Sequence, residues 1–420
     1  DLVRDYPKSS YALDAAFSIP IAYQDAKNWE QAAQEFINFS NAYTSDKGKL
    51  IAAYSGTARA YREMKEDDKA NEYYKKTIDA YDKYGLQIKN ADPTVAAEAA
   101  YYLGESQYQK MAPITLTGND KAKAASVKKL MEYLKSAMSY YAKSAAYASE
   151  KWTFRATNKM GFLFVTMATK IREQELSSKT EEEKFAERIG IVQQLPSYYE
   201  QAMPIFQKNI DLARDQGFYN ADVVAAEEGY IEMYYQGCAV FVEVADAFAK
   251  SPLPDSTSIV KEYMQNDGMT KDDAAAAAGD DLKAYRDELA NRSKAAKDAG
   301  VPRCATGIKA SAHYGIDNQW TKKLYDALQG LDTANEALAV KIQKFDASKL
   351  FQDPSYFKTK ARIDQISKSE VMTPQEQLST YRDIIKEAQD ENAKLKEELQ
   401  LLQQRRPSSA PARTIAPAGH

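Results

Sequence analysis

Tyr23 and Tyr61, Ala32 and Ala70, Phe36 and Tyr74, and Tyr43 and Tyr81 each stand 38 residues apart, so the start of the chain is written twice in one register. A period of that length marks one supersecondary unit per repeat. Such a unit cannot bury its apolar face alone and stacks on its neighbours. Within each unit apolar residues recur at steps of three and four on either side of a short polar turn, Ala26-Lys27-Asn28 and then Lys65-Glu66-Asp67. The spacing predicts helical hairpins.

The second helices carry a local signature. Trp29-Glu30-Gln31-Ala32 followed by Phe36 recurs as Tyr199-Glu200-Gln201-Ala202 followed by Phe206, with weaker copies at Ala70 to Tyr74 and Ala137 to Tyr141. A small Ala lets two antiparallel helices approach, and the aromatic one turn later fills the wedge towards the next hairpin. With the large-then-small pairs Leu103-Gly104 and Met160-Gly161, and Tyr23 and Tyr61 as the first-helix aromatics, residues 1–250 resemble a tetratricopeptide repeat array of four units. Units three and four carry extra residues around Pro113 to Val127 and Glu173 to Pro196, and Pro20 stands where the family has a small residue, a place where it would kink the helix. The first 45 residues, with Tyr6-Pro7-Lys8-Ser9-Ser10-Tyr11, Asp14-Ala15 and Phe39, are more narrowly similar to repeats of bacterial envelope proteins. Those are the BamD-type outer-membrane lipoproteins and the Tol-Pal-associated coordinator proteins.

The fold class implied is all-α: a tetratricopeptide-like solenoid of hairpins with a coiled-coil-like C-terminal helix and a disordered tail. Composition agrees, with 17 Gly and 14 Pro in 420 residues, 44% hydrophobic and 28% charged. From Ser251 the pattern changes. Pro252, Pro254, Asn266-Asp267-Gly268 and the alanine run 274–278 read as a flexible linker over 251–281. Further helical hairpin sequence follows over 282–372, including the row Leu324, Leu328, Leu331, Asn335, Leu338, Ile342 and Phe345. Over 375–404, after Pro374, Leu378, Tyr381, Ile385, Ala388, Asn392, Leu395, Leu399 and Leu402 alternate steps of three and four. That is a four-heptad seam, with Asn392 at the position where a polar residue sets register in a parallel two-stranded coil. Two readings stand: self-association or pairing with a partner helix through this segment, or a helix folded back on its own solenoid. Residues 405–420, with Pro407, Pro411 and Pro417, read as a disordered tail.

Chemistry is excluded more firmly than it is suggested. Lys plus Arg (56) nearly balances Asp plus Glu (60), a net charge of -4 that gives no field for a nucleic-acid binder. His313 and His420 are the two histidines, too few and too far apart for a histidine metal cage or acid-base centre. The acidic pairs Asp67-Asp68, Asp272-Asp273 and Asp280-Asp281 lack the spaced oxygen ligands of a calcium loop. Cys238 and Cys304 read first as two separate, mostly buried thiols, with a disulfide as the lesser reading, open only to a fold that brings their Cα atoms within roughly 7 Å. Cys304 with His313 has no local support as nucleophile and base. No phosphate loop or metal motif is present and no run of apolar residues is long enough to span a membrane. The expectation is a non-enzyme without cofactor or metal.

The tetratricopeptide resemblance implies a concave groove lined by first helices. Its partner-contacting candidates here are Phe17 and Gln24; Arg59 and Arg62; Tyr101, Glu105 and Tyr108; and Arg155, Asn158 and Phe162. Packing against the next repeat is an equal reading for Phe17 and Phe162. The function expected is a protein-protein interaction scaffold in a Gram-negative cell envelope complex, periplasmic, and outer-membrane-associated through a segment not present here. A glycan-binding envelope protein using the 29 tyrosines is the alternative. Helical support for a catalytic domain outside this chain is the weaker one.

Overall fold

The computed structural model describes residues 9–88, 91–217 and 219–331. The seam at 375–404, the tail at 405–420, the stretch 332–372 and Tyr6-Pro7-Lys8 lie outside the described residues. Two compact units are distinguished. The first, residues 1–211 and 221–342, carries the repeats. Of the second, residues 212–220 and 343–420, the described part is the end of one helix and the turn after it, where Gly217 has a φ of 61°.

Among the described residues the secondary structure is helical throughout: α1 Ser10–Asp25, α2 Trp29–Ala42, α3 Lys47–Glu63, α4 Asp67–Tyr84, α5 Thr94–Met111, α6 Asp120–Ala146, α7 Glu150–Arg172, α8 Glu181–Asp215, α9 Ala221–Ala249, α10 Ser256–Asn266, α11 Lys271–Tyr314 and α12 Gln319–Leu331. Side-chain oxygens start many of them: Asn28, Asp46, Asn119, Asp255 and Thr270 each accept a backbone N–H of the first turn. The turns inside the first two hairpins close on Lys27 and Lys65, one period apart and both left-handed at φ 56° and 61°. The repeat thus extends to backbone conformation.

The solenoid character shows in which helices touch. Besides packing within hairpins, first helices meet their counterparts in the next unit: α1 with α3, α3 with α5, α5 with α7 and α7 with α9. The expected wedge is present. A Cβ added to Gly161 would lie 2.5 Å from the Phe206 ring and one added to Gly229 would lie 2.8 Å from it. Phe206 therefore fills the space between its own hairpin and the next one. Tyr141 lies against Gly104 in the same way, and Phe36 against Gly56.

Three expectations change. Helix α8 runs unbroken from Glu181 to Asp215 with Pro196 and Pro204 inside it, so the insertion in the fourth unit is the loop before residue 181. The region 251–281 is largely helical: Ser256–Asn266 forms α10, and α11 starts at Lys271 and includes the alanine run. Asp255 and Thr270 start these helices, and Ala274 and Ala278 are buried, which gives the alanines a packing role. Finally, Cys238 of α9 and Cys304 of α11 form a disulfide with Cα atoms 5.1 Å apart, correcting the reading of two separate thiols. Close packing of α9 and α11 brings them within reach: Cβ atoms at Gly300 and Gly307 would meet Phe241 and Tyr234 at 2.7 Å. A helix contact between residues 66 apart leaves no trace in local spacing.

Candidate partner-binding surface

A bidentate polar link between repeats starts from Arg59 on α3. Its Nε and Nη2 donate to the two oxygens of Glu98 on α5, at 2.8 and 2.5 Å. Glu98 is 7% exposed, and a carboxylate so placed needs a paired cation. Arg62, one turn on, reaches the same carboxylate at 3.7 Å, donates to the Tyr74 hydroxyl at 3.2 Å and to Glu63 at 2.7 Å, and lies 4.1 Å from the Tyr102 ring centroid. Its stem and guanidinium plane cover aromatic surface while its edge stays in water.

Aromatic rings continue the row across α5 and α7. Tyr74 stacks on Tyr102 at 5.5 Å, Tyr102 meets Trp152 at 5.7 Å, and Tyr101 touches Tyr102, Trp152 and Tyr141. Arg155 lies 5.4 Å from the Trp152 ring and pairs with Asp222 of α9 at 3.4 Å. Beside this row, Glu105 accepts from the Tyr141 hydroxyl at 2.6 Å and pairs with Lys159 at 3.0 Å, and Lys159 lies 5.4 Å from the Tyr108 ring. Burial pushes the Tyr74, Tyr101 and Tyr141 hydroxyls well above the usual phenol range, with Glu105 adding to the effect on the last two. All three stay neutral at physiological pH.

The structure sorts the ten groove candidates. Arg59, Arg62, Tyr101 and Arg155 fall along one connected row, with Glu105 and Tyr108 next to it. Phe17 packs against Phe36 and Phe39 at 6.0 and 4.9 Å, and Phe162 against Phe206 at 5.0 Å, so both serve hairpin cohesion. Asn158 is buried, donating to the Asp222 carbonyl at 2.5 Å and accepting from Asn209 at 2.8 Å. Gln24 is half-buried near the end of α1. Three contributors escaped the sequence reading, Glu98, Tyr102 and Trp152, and a fourth, Tyr74, was read there only as a second-helix packing aromatic. Glu98 follows Arg59 by 39 residues, close to one repeat, and that spacing was the available signal.

Trp152 has a further property. Its indole N–H is buried and has no hydrogen-bond partner, as is true of Ser55 Oγ and Asn318 Nδ2. Among the described residues no cluster of three or more His, Cys, Asp or Glu side chains is arranged to hold a metal ion. Nor is any helix there long and apolar enough to cross a membrane.

No family model matches the chain. No curated protein sequence matches it either. Among solved structures it is similar to the complex of the TPR2AB domain of yeast Sti1 with pHSP90, at 14% identity, covering 75% of this chain and 99% of that one with a TM-score of 0.28. It is also similar to a circular tandem repeat protein with novel repeat topology and enhanced subunit contact surfaces, at 12% identity, covering 93% and 91% with a TM-score of 0.18.

Proposed function

We infer that this protein is a non-enzymatic scaffold that holds protein partners along the first helices of its repeats, within a Gram-negative envelope complex on the periplasmic side. The observation that carries the reading is the row Arg62, Tyr102, Trp152 and Arg155. Two guanidinium groups, each partly open to solvent, lie on rings that the repeats themselves hold rigid. Arginine and large aromatics give extensive contact at little cost in side-chain freedom, and they dominate the binding energy of protein interfaces. The Cys238–Cys304 disulfide supports an oxidising compartment, which the periplasm is. Envelope location otherwise rests on the resemblance of the first 45 residues.

Arg62→Glu combined with Arg155→Glu tests the surface. Both guanidinium groups have solvent on one side, so the fold should persist, checked by circular dichroism, while partner capture from cross-linked envelopes falls at least tenfold. An unchanged set of captured proteins overturns the assignment. Arg59 is left intact because reversing it would strand Glu98.

A further inference from the structure

Of the apolar row that starts Leu324, Leu328, Leu331 and continues through Asn335 to Leu338 and Ile342, the structure describes the first three, all on α12. They are at most 3% exposed, because α12 lies against both α9 and α11. Two close approaches set the register. A Cβ at Gly307 would lie 3.0 Å from Leu324 Cδ1, and one at Gly300 would lie 2.6 Å from Leu331 Cδ1. Seven residues forward on α12 therefore match seven back on α11, as in two antiparallel helices of equal rise.

Past Leu331 a cavity of about 620 Å³ follows α11 back to Arg286, with Phe248, Leu253, Leu289 and Val301 as its apolar floor. From Gly300 back to Leu289 is eleven residues, about 16 Å of helix, and residues 332–342, which lie outside the described residues, also number eleven. Carried on at the same register, the row comes level with the cavity lining: Leu338 with Ser293 and Ile342 with Leu289. The Ser293 hydroxyl already donates to the Ala245 carbonyl at 2.8 Å, so an apolar side chain over it strands no polar group. Charge agrees with this register. Arg286, Lys294 and Lys297 line the cavity without an ion pair or hydrogen bond to another described residue, and Asp298 is the one acid beside them. Asp332 and Glu336 come level with Ala299 and Ala295, within a turn of Lys297 and Lys294, and the segment's one base is Lys341. The compact unit that holds α9 and α11 also extends to Ile342.

We propose that this groove is an intramolecular docking site for residues 332–342 of the same chain, with Leu338 and Ile342 on its apolar floor and Asp332 and Glu336 beside its lysines. An amphipathic segment with anchors at steps of three and four is what such a groove accepts. Seated there, the segment covers apolar surface at the end of the described helices, as a capping element does in a repeat protein.

The full chain carrying Ser293→Cys and Leu338→Cys tests this, since Cys238 and Cys304 are already paired with each other. Mild oxidation should link the two new cysteines within one chain, read by peptide mass mapping without reduction, whereas M264C/L338C, with its first cysteine on α10, should not link. Mixing chains that carry only Ser293→Cys with chains that carry only Leu338→Cys should give no covalent dimer. Hydrogen exchange of the unmodified chain should show amides 332–342 protected, and L338D/I342D should lower that protection at least tenfold, with circular dichroism checking that the fold is kept. No link in S293C/L338C, a covalent dimer from the mixed single variants, or amides 332–342 exchanging at their unprotected rate overturns the proposal. The second outcome would give the groove to another copy, and the third would leave it to a foreign helix.

Discussion

The two N-terminal hairpins and the repeats from α5 onward are built on the same plan but held together differently. Helices α1 to α4 form two small apolar clusters, one around Phe36 and Phe39 and one around Tyr74 and Ile78, the second reaching into α5. From α5 to α12 a single cluster runs from Ala97 to Leu331, with the Cys238–Cys304 disulfide inside it. In the first region each hairpin depends on contacts with its immediate neighbours, so cohesion is local and additive. In the second, large interlocked residues such as Phe206 and Leu195 belong to one continuous core, so damage at one point is felt along it. The same repeat logic thus yields a modular half and a cooperative half.

The largest effect should come from the disulfide. Closing a loop of 66 residues limits the unfolded chain, and C238S/C304S should lose about 4 kcal/mol in urea titration. If the comparison holds, hydrogen exchange of α1 to α4 stays unchanged while α9 and α11 lose protection. Equal loss in both halves would show one cooperative unit instead of two regimes.

Arg59→Ala is next. It leaves Glu98 buried without its bidentate partner at the junction of the two halves, which costs about 2 to 3 kcal/mol, discounted because Arg59 is partly solvated. Chemical denaturation should show the loss, and added Glu98→Gln should recover part of it. No recovery would mean that the pair contributes through packing alone.

Gly104→Ala follows at about 2 kcal/mol by overpacking, since its Cβ would lie 2.6 Å from the Tyr141 ring, a side chain with no room to yield. Gly237→Ala is the matched control, inside a helix with nothing within 4 Å of its Cβ, and it should raise stability by up to about 1 kcal/mol in the same melt.

The smallest effect concerns pH. Glu187 accepts the backbone N–H groups of Ser177 and Ser178, which hold its carboxyl at about 2, below the ordinary 4.5. A carboxylate lowered on folding stabilises the protein above its unfolded value, and that contribution is lost as pH falls through the folded value. Between about pH 4.5 and 2 the loop before α8 should loosen, seen as lost protection of the Ser177 and Ser178 amides relative to their intrinsic exchange rate at each pH, while α1 to α4 hold. Unchanged exchange in Glu187→Gln at neutral pH would remove the bond from this account.

Legibility in the sequence followed the same division. The paired positions 38 apart located the first two hairpins and their polar turns, because there the apolar pattern and the turn signals agree. The aromatic after Ala in each second helix was also readable, and Phe206 fills the wedge that Ala202 and Phe206 foretold. In the arginine-aromatic row, Arg62 and Arg155 were legible as first-helix residues. Asn158 was not, since an asparagine on a first helix looks alike whether it faces solvent or donates to the Asp222 carbonyl. The linker reading of 251–281 failed for a related reason. Prolines and an Asn-Asp-Gly sequence do mark turns here, but Asp255 and Thr270 cap helices between and beyond them.

By itself the sequence determined what is local: helical period, repeat length, the small-plus-aromatic packing code, and a near-neutral, histidine-poor composition. Those properties depend on residues within a turn or one repeat of each other. The tertiary structure alone decided two others: which cysteines meet and which arginine is bound to a buried carboxylate. Each depends on the close approach of segments far apart in the chain, where burial turns an ordinary charge or thiol into a defined partner.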